Sequence, residues 1–171
     1  MEVITLTPTS YIVLGLVRYA GEATPYALKQ MAGATVGNFF SIPHSQIYAE
    51  PARLAKAGYL SVRQEESGRR RKHYELTEKG KIALADWLET PTGELYELRD
   101  PGLLKLALGA DPVALAHAQI PVHEERLEHF QTIRRVLEAS GMPGDELLVV
   151  DAGIGHEREY LRFWRKVADP N

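Results

Sequence analysis

Two short stretches of alternating polarity, joined by a glycine turn, constrain the fold of this chain more than any other feature of its sequence. Residues 59–64 (YLSVRQ) and residues 73–76 (HYEL) each place their apolar side chains on one face of a strand. Ser67-Gly68 between them is a turn signal. The pattern predicts a β-hairpin that carries the basic residues 69–72 at its tip and on its returning strand.

Three helices are predicted before this hairpin. Thr7-Pro8 and Thr24-Pro25 each combine an N-cap residue with a proline at the first helical position, where the missing N–H costs nothing. Apolar residues at helical spacing extend the two helices to near Gly21 and Gly37. A third helix is predicted from near Pro43 to Gly58.

The third helix contains a proline. Its apolar residues Ile47, Pro51 and Leu54 recur at helical spacing, so they share one face. Pro51 cannot donate a backbone hydrogen bond and is expected to kink or loosen the middle turn. The opposite face carries short, polar or basic side chains, such as Ser45 and Arg53.

The rest of the chain is predicted to be helical. Thr77 caps a fourth helix that ends before Pro91. In the second half, one helix is predicted over residues 95–108 and is divided at residues 100–102. A longer helix begins at Pro112 and is expected to kink at Pro121, and a last helix covers the C-terminal residues. The fold class is therefore mainly α with a small β-hairpin. We expect two domains, residues 1–90 and residues 91–171.

Charge and composition narrow the class of protein. The chain of 171 residues has a formal net charge of −3, but residues 1–90 contain 11 Lys and Arg against 9 Asp and Glu, whereas the remainder contains 9 against 14. The absence of cysteine excludes disulfides and thiolate metal sites. The acidic residue near the N-terminus and the short apolar run at residues 11–17 predict a soluble cytoplasmic protein without a signal peptide or a membrane partner.

The histidines do not indicate a metal or catalytic site. His117, His123 and His129 recur every six residues, which separates neighbouring side chains by roughly 120° around a helix. HEERL (residues 123–127) and HEREY (residues 156–160) both lack the second histidine of the HExxH zinc motif. No Ser-His-Asp arrangement or phosphate-binding loop is present in the sequence. We therefore expect no enzymatic activity, no cofactor and no bound metal.

Three helices followed by a basic hairpin is the order of elements in a winged helix-turn-helix domain. There the third helix enters the major groove of double-stranded DNA, and the hairpin, or wing, lies along the phosphates. Ser45, Gln46 and Ala49 would approach base edges, and the wing would contact phosphates. The candidate DNA-binding residues are Lys29, Ser45, Gln46, Tyr48, Ala49, Arg53, Lys56, Arg69, Arg70, Arg71 and Lys72.

The last predicted helix is apolar over a wide arc, which indicates that it is covered on two sides. A second copy of the chain is one such cover, and an intrachain core is the alternative. The candidate dimerisation residues are Leu147, Val150, Ile154, Leu161 and Trp164.

The sequence also resembles a known family. The runs HSQIYAEPARLAKAGYL (residues 44–60) and GRRRKHYELTEKGKIALADWL (residues 68–88) resemble the PadR family of bacterial transcriptional regulators, and ELRDPGLLKLALGAD (residues 97–111) resembles its longer, AphA-like members. The resemblance implies a homodimer on an inverted repeat in DNA, in many members a repressor released by a small effector. Pro51 departs from the family pattern, which affects the expected course of the recognition helix.

Two other classes of function stay open. Trp87, Tyr160, Phe163 and Trp164 could line a cavity for a small effector, which would make the protein mainly a small-molecule sensor; packing in the core is the alternative for these aromatics. The modest net charge also permits a winged-helix adaptor that binds protein instead of DNA. Retardation of random duplex DNA at low salt distinguishes the regulator from the adaptor.

Overall fold

A computed structural model of the chain describes residues 4–68, 70–141 and 144–169. The chain divides into two compact units, Met1–Glu94 and Leu95–Asn171. In the described parts, no helix combines the length and the apolar character needed to cross a membrane.

The first unit opens with the two predicted helices. Helix α1 (Pro8–Ala20) begins at Thr7, whose backbone N–H donates to Ser10 Oγ at 2.8 Å in a capping box. Helix α2 (Pro25–Ala34) begins at Thr24, whose Oγ1 accepts from a backbone N–H at 3.2 Å. The expected end of α2 near Gly37 was wrong, because residues Val36–Asn38 form a separate 3₁₀ turn.

Helix α3 (His44–Lys56) continues through its proline. Pro51 is fully buried together with Ile47 and Leu54, which makes it part of the apolar face. Because this face is packed against the core, the tertiary contacts hold the helix together despite the backbone hydrogen bond that the proline cannot donate.

The predicted hairpin forms, and it belongs to a three-stranded antiparallel sheet. Strands β2 (Leu60–Gln64) and β3 (Lys72–Leu76) pair with Leu60 opposite Leu76. A two-residue strand, β1 (Glu22–Ala23), pairs with the other edge of β3, so the order is β1-β3-β2. The connection between α1 and α2 is thus hydrogen-bonded to the base of the wing.

Helix α4 (Glu78–Glu89) follows β3 directly and is capped by Thr77, as predicted. Gly80 in its first turn lies against the backbone of Tyr59: a Cβ at Gly80 would be 2.1 Å from the Tyr59 carbonyl oxygen. The glycine is therefore required by the close approach of α4 to the start of β2. The core of this unit is formed by buried residues from all four helices and the sheet, among them Leu14, Leu28, Ile47, Leu54, Leu60, Tyr74 and Leu84.

The second unit consists of helices α5 (Pro101–Ala107), α6 (Pro112–Ala139) and α7 (Gly144–Ala168). Residues 91–100 are irregular, so the expected helical turn before Asp100 was wrong. Helices α5 and α6 begin at the aspartate N-caps Asp100 and Asp111. Phe130 on α6 packs against Val150 and Ile154 on α7.

Most of the candidate dimerisation residues are buried inside one chain. Val150, Ile154 and Leu161 are at most 8% exposed and Trp164 is fully buried, while Leu147 is half-buried. Side chains already covered by their own chain cannot also form the surface that meets a second copy. The four buried residues are therefore assigned to the core of the second unit, Leu147 keeps a partly exposed side chain, and the prediction of a dimer needs a further surface.

Candidate nucleic-acid interface

The first turns of α3 present an exposed polar face. Ser45, Gln46 and Ala49 all lie on the surface of the first unit, and Tyr48 beside them is 45% exposed. Pro43 at the N-cap offers no side-chain cap to the first N–H groups of the helix. This end of α3 is small, polar and open, as a helix that enters the major groove must be.

Gln46 is held by the preceding helix. The hydroxyl of Thr9, at the N-terminus of α1, donates to Gln46 Oε1 at 3.1 Å. The two residues lie in the wall of a surface cavity of about 250 Å³, which Ala49 and Glu50 also line. The exposed end of Gln46 is thus positioned by a residue that is 37 positions earlier in the chain.

A second contact between α1 and α3 involves a buried carboxylate. Glu50 accepts from Ser10 Oγ at 2.6 Å and from both Nη2 (2.6 Å) and Nε (2.8 Å) of Arg53. The Arg53 guanidinium also donates to Ser10 Oγ at 3.0 Å and to the Thr5 carbonyl at 3.3 Å. Burial alone would raise the pKa of Glu50, but the hydrogen bonds from Arg53 and Ser10 outweigh burial and lower it.

This network changes the role predicted for Arg53. The sequence suggested that Arg53 reaches bases or the DNA backbone, but the structure directs its guanidinium to Glu50, Ser10 and Thr5. We therefore assign Arg53 to fastening α3 onto α1. The i, i+3 spacing of Glu50 and Arg53 was a visible signal for this pair, which the sequence analysis missed.

The two candidate lysines lie on two different helices. Lys56 is exposed in the last turn of α3, and Lys29 is half-buried on α2.

The wing carries exposed cations around a strained turn. Arg70 has a φ of 47°, and its carbonyl accepts from Gln64 Nε2 at 3.2 Å. The backbone N–H of Arg71 donates to Glu65 Oε2 at 3.1 Å, and Lys72 pairs with Gln64 across the sheet. Arg69 lies outside the described residues. Arg70, Arg71 and Lys72 are all exposed and can reach a phosphate.

Two acidic residues, Glu22 on β1 and Glu65 at the end of the hairpin, offset part of this charge. His73 lies between two carboxylates, 3.4 Å from Glu22 Oε2 and 3.1 Å from Glu65 Oε1. The hydrogen bond from His73 and that from the Arg71 backbone lower the pKa of Glu65. Arg63 pairs with Glu22 at 2.6 Å. At the tip, Arg71 Nε lies 3.9 Å from Glu65 Oε2, so Arg71 is partly compensated, while Arg70 and Lys72 are exposed.

The aromatic residues considered for an effector cavity are divided between the units. Trp87 stacks on Tyr11 at a ring distance of 4.5 Å and is 45% exposed in the first unit. Trp164 is fully buried in the second unit, with Phe163 edge-on to it. Tyr160 is half-buried in the same unit. Trp164 is therefore a core residue of the second unit, whereas Trp87 has an exposed ring face that a ligand could contact.

The regularly spaced histidines serve different purposes. His123 is buried, and its Nδ1 lies 2.6 Å from the carboxylate of Glu157, which is itself 2% exposed and accepts from Arg126. His117 and His129 are exposed. Within residues 4–68, 70–141 and 144–169, no three acidic or histidine side chains come together in a group that could hold a metal ion.

Three helices, a basic hairpin pinned to them by a short third strand, and a separate helical unit define a winged helix-turn-helix protein with a C-terminal helical extension. The comparison with known families narrows this class. Residues 13–86 match the model of the transcriptional regulator PadR-like family.

One curated relative and several solved structures are similar to this chain. The negative transcriptional regulator PadR of Bacillus subtilis is 39% identical over 80 residues, which cover 46% of this chain and 43% of that protein. The crystal structure of B. subtilis PadR in complex with operator DNA matches with a TM-score of 0.84 at 25% identity, covering 98% of this chain and 100% of that chain.

Two further structures extend the comparison. B. subtilis PadR in complex with p-coumaric acid matches with a TM-score of 0.76 at 26% identity, covering 96% of this chain and 97% of that one. The virulence activator AphA of Vibrio cholerae matches with a TM-score of 0.70 at 20% identity, covering 94% and 95%. The AphA match shows a shared fold alone. The fold expected from the sequence is confirmed over both units.

Proposed function

We propose that this protein is a DNA-binding transcriptional repressor that acts as a homodimer on an inverted repeat and is released by a small effector. The observation that carries the proposal is the exposed polar face of α3, formed by Ser45, Gln46 and Ala49 and followed by a basic wing. It is supported by the whole-chain similarity to PadR bound to operator DNA.

The contacts divide by the kind of information they carry. Ser45 and Gln46 supply donors and acceptors for base edges, and Ala49 lets the backbone approach them. Arg70, Arg71 and Lys72, with Lys29 and Lys56 beside α3, supply phosphate contacts that position the protein without reading sequence. In this proposal Arg53 contacts no DNA.

Selection of bound duplexes from a random pool tests this function. A palindrome with a fixed half-site spacing is expected from a symmetric dimer that places two α3 helices in successive major grooves. A protein that retains no duplex even at low salt would contradict the proposal and favour the protein-interaction adaptor.

The wing assignment makes a separate prediction about salt. Each phosphate contact contributes a slope of about 0.9 in a plot of log affinity against log salt concentration, so the triple variant Arg70→Ala/Arg71→Ala/Lys72→Ala is expected to reduce the slope by up to about 2.7. The matched control removes three positive charges from exposed sites in the second unit, in Arg135→Ala/Arg162→Ala/Lys166→Ala. Equal slopes for the two triple variants would refute the wing assignment.

For dimerisation we propose the apolar side chains that the second unit leaves exposed. Val149 is 50% exposed and Phe163 is 37% exposed on α7, and neither belongs to the buried cluster around Phe130. Further exposed apolar residues of the same unit are Leu104, Leu108, Val122, Val136 and Leu148. A second copy of the chain would bury this surface, which favours association through the hydrophobic effect.

Light scattering tests the proposed dimer. Val149→Glu and Phe163→Glu are expected to convert a dimer at micromolar concentration into a monomer, because they place a charge in an apolar contact. Val62→Glu is the control, since Val62 is 51% exposed on the wing and outside the proposed surface. A wild-type protein of monomeric mass would contradict the proposal.

The effector is proposed to be a small aromatic acid. The support is the similarity at 26% identity to PadR bound to p-coumaric acid, together with the exposed face of Trp87. Addition of p-coumaric acid is expected to release bound DNA and quench tryptophan fluorescence. Unchanged DNA binding and unchanged fluorescence at millimolar concentration would refute this choice of effector.

A further inference from the structure

The contact between Thr9 on α1 and Gln46 on α3 has a consequence for sequence recognition. We propose that Thr9 is a positioning residue that turns the amide nitrogen of Gln46 toward DNA, so that Gln46 selects guanine. This inference rests on the proposed function, because it specifies how one residue of α3 reads a base.

The geometry leaves the two ends of the amide in different surroundings. Gln46 Oε1 accepts from the Thr9 hydroxyl at 3.1 Å, and Thr9 is only 9% exposed. Within the described parts of the chain, Nε2 of Gln46 has no hydrogen-bond partner, and Gln46 itself is exposed. The oxygen therefore points back to α1, and the NH₂ group is the end available to a ligand.

The N-terminus of α1 favours this orientation over the reversed one. Thr9 is the second residue of α1, where the backbone N–H groups lack intrahelical acceptors and the helix dipole is positive. An amide oxygen is attracted to this end of a helix, whereas an NH₂ group would place donors beside donors. The Thr9 hydroxyl adds one more donor directed at the oxygen.

A glutamine fixed in this way distinguishes the two purines. A free glutamine pairs with adenine through two bonds, using its oxygen for the adenine N6 amino group and its nitrogen for N7. With Oε1 turned to Thr9, only the donor end reaches the groove. Guanine offers two acceptors there, N7 and O6, whereas adenine offers N7 alone and places its N6 amino group, a donor, beside the NH₂ of Gln46.

Duplex selection with three variants tests the inference. Thr9→Val removes the hydroxyl with little change in shape, and Thr9→Ser retains it. Gln46→Ala removes the reading side chain and identifies the base position that Gln46 contacts. Competition binding then compares guanine with adenine at that position in an otherwise constant half-site.

The wild type and Thr9→Ser are expected to prefer guanine by at least about fivefold, the lower end of the discrimination that a well-made base contact provides. Thr9→Val is expected to lose this preference or to reverse it toward adenine, while its affinity for random duplex stays unchanged. A merely structural role of Thr9 would weaken binding to every sequence alike and leave the base preference in place.

Several results would overturn the inference. It is wrong if the wild type prefers adenine at the position found with Gln46→Ala, or if Thr9→Val keeps the wild-type preference. Should Thr9→Val fail to fold by circular dichroism, Thr9→Ala removes the same donor and is judged by the same criterion. A wild type that binds no duplex refutes the proposed function, and this inference with it; a shared preference of wild type and Thr9→Val refutes the inference alone.

Discussion

The pair Glu50–Arg53 allows a direct test of how the recognition helix is fastened. A second ion pair in the same unit, Glu78–Lys81, has the same i, i+3 spacing and the same distance of 2.6 Å. The two pairs differ in exposure: the side chains of Glu50 and Arg53 are 11% and 37% exposed, whereas those of Glu78 and Lys81 are 80% and 56% exposed. The comparison thus sets a buried arginine pair with additional hydrogen bonds to Ser10 and Thr5 against an exposed lysine pair.

The expected magnitudes follow from these exposures. Exposed ion pairs on helices contribute about 0.3–0.5 kcal/mol, because water competes for both charges. Hydrogen bonds to charged groups contribute about 1.5–3 kcal/mol each. Since Arg53 can turn partly toward water, we discount this range and expect a coupling free energy of about 1–2 kcal/mol between Glu50 and Arg53. Glu50→Ala alone should cost more, because it also removes the acceptor of the fully buried Ser10 hydroxyl.

Two double-mutant cycles measure both couplings. The variants Glu50→Ala, Arg53→Ala and their combination, and likewise Glu78→Ala, Lys81→Ala and their combination, are unfolded in urea at pH 7 and followed by circular dichroism. The cycle cancels effects of each single truncation that do not depend on its partner. Coupling below about 0.5 kcal/mol in both cycles would refute the conclusion that the buried pair fastens α3 to α1.

The same pair predicts a pH dependence. Because the pKa of Glu50 is lowered in the folded protein, its carboxylate contributes stability that is fully present above the pKa of the unfolded chain. This contribution is lost as the pH falls from about 4.5 through the lower folded pKa. The stability difference between the wild type and Glu50→Gln should therefore be constant from pH 6 to 8 and shrink below pH 4.5. A difference that grows on acidification would contradict the assignment.

Two further predictions concern stability. Gly80→Ala should destabilise the protein by about 3 kcal/mol in urea unfolding, because the new Cβ would lie 2.1 Å from the Tyr59 carbonyl oxygen. The control Gly15→Ala has nothing within 4 Å of its Cβ and should stabilise α1 by about 0.5–1 kcal/mol. Equal effects of the two substitutions would contradict the close approach of α4 to Tyr59. Glu157→Ala should cost about 3–5 kcal/mol because it leaves His123 buried without its partner, whereas Glu159→Ala, at an exposed site, should change stability by less than about 0.5 kcal/mol.

The parts of the fold that the sequence predicted are those governed by neighbouring residues. The Thr-Pro starts of α1 and α2 and the alternation that forms β2 and β3 each depend on a few adjacent side chains. Strand β1 has only two residues, Glu22–Ala23, and exists because β3 is beside it. No local pattern could reveal a strand of that length.

The candidate site was predictable in position and less so in detail. The exposed face of α3 was found from its small and polar residues, but Glu50, next to Pro51, reads as an ordinary surface glutamate in the sequence. Its buried hydrogen-bond partner, Ser10, is 40 residues earlier in the chain. The apolar arc of α7 could be covered by the same chain or by a second one, and only the packing against Phe130 shows that Val150 and Ile154 belong to the intrachain core.

Strand β1 also affects which parts of the wing can change during evolution. An isolated two-stranded hairpin is marginally stable in water, but the third strand fixes the base of this one. The described residues of the tip, 65–68 and 70–71, contribute no strand pairs to the sheet, so we expect insertions and charge changes there to leave the helices undisturbed. Substitutions at Glu22–Ala23, by contrast, would shift the wing and the helix-turn-helix together. The tip is therefore where the length and charge of the phosphate contact can vary between descendants, while the base keeps its distance from α3.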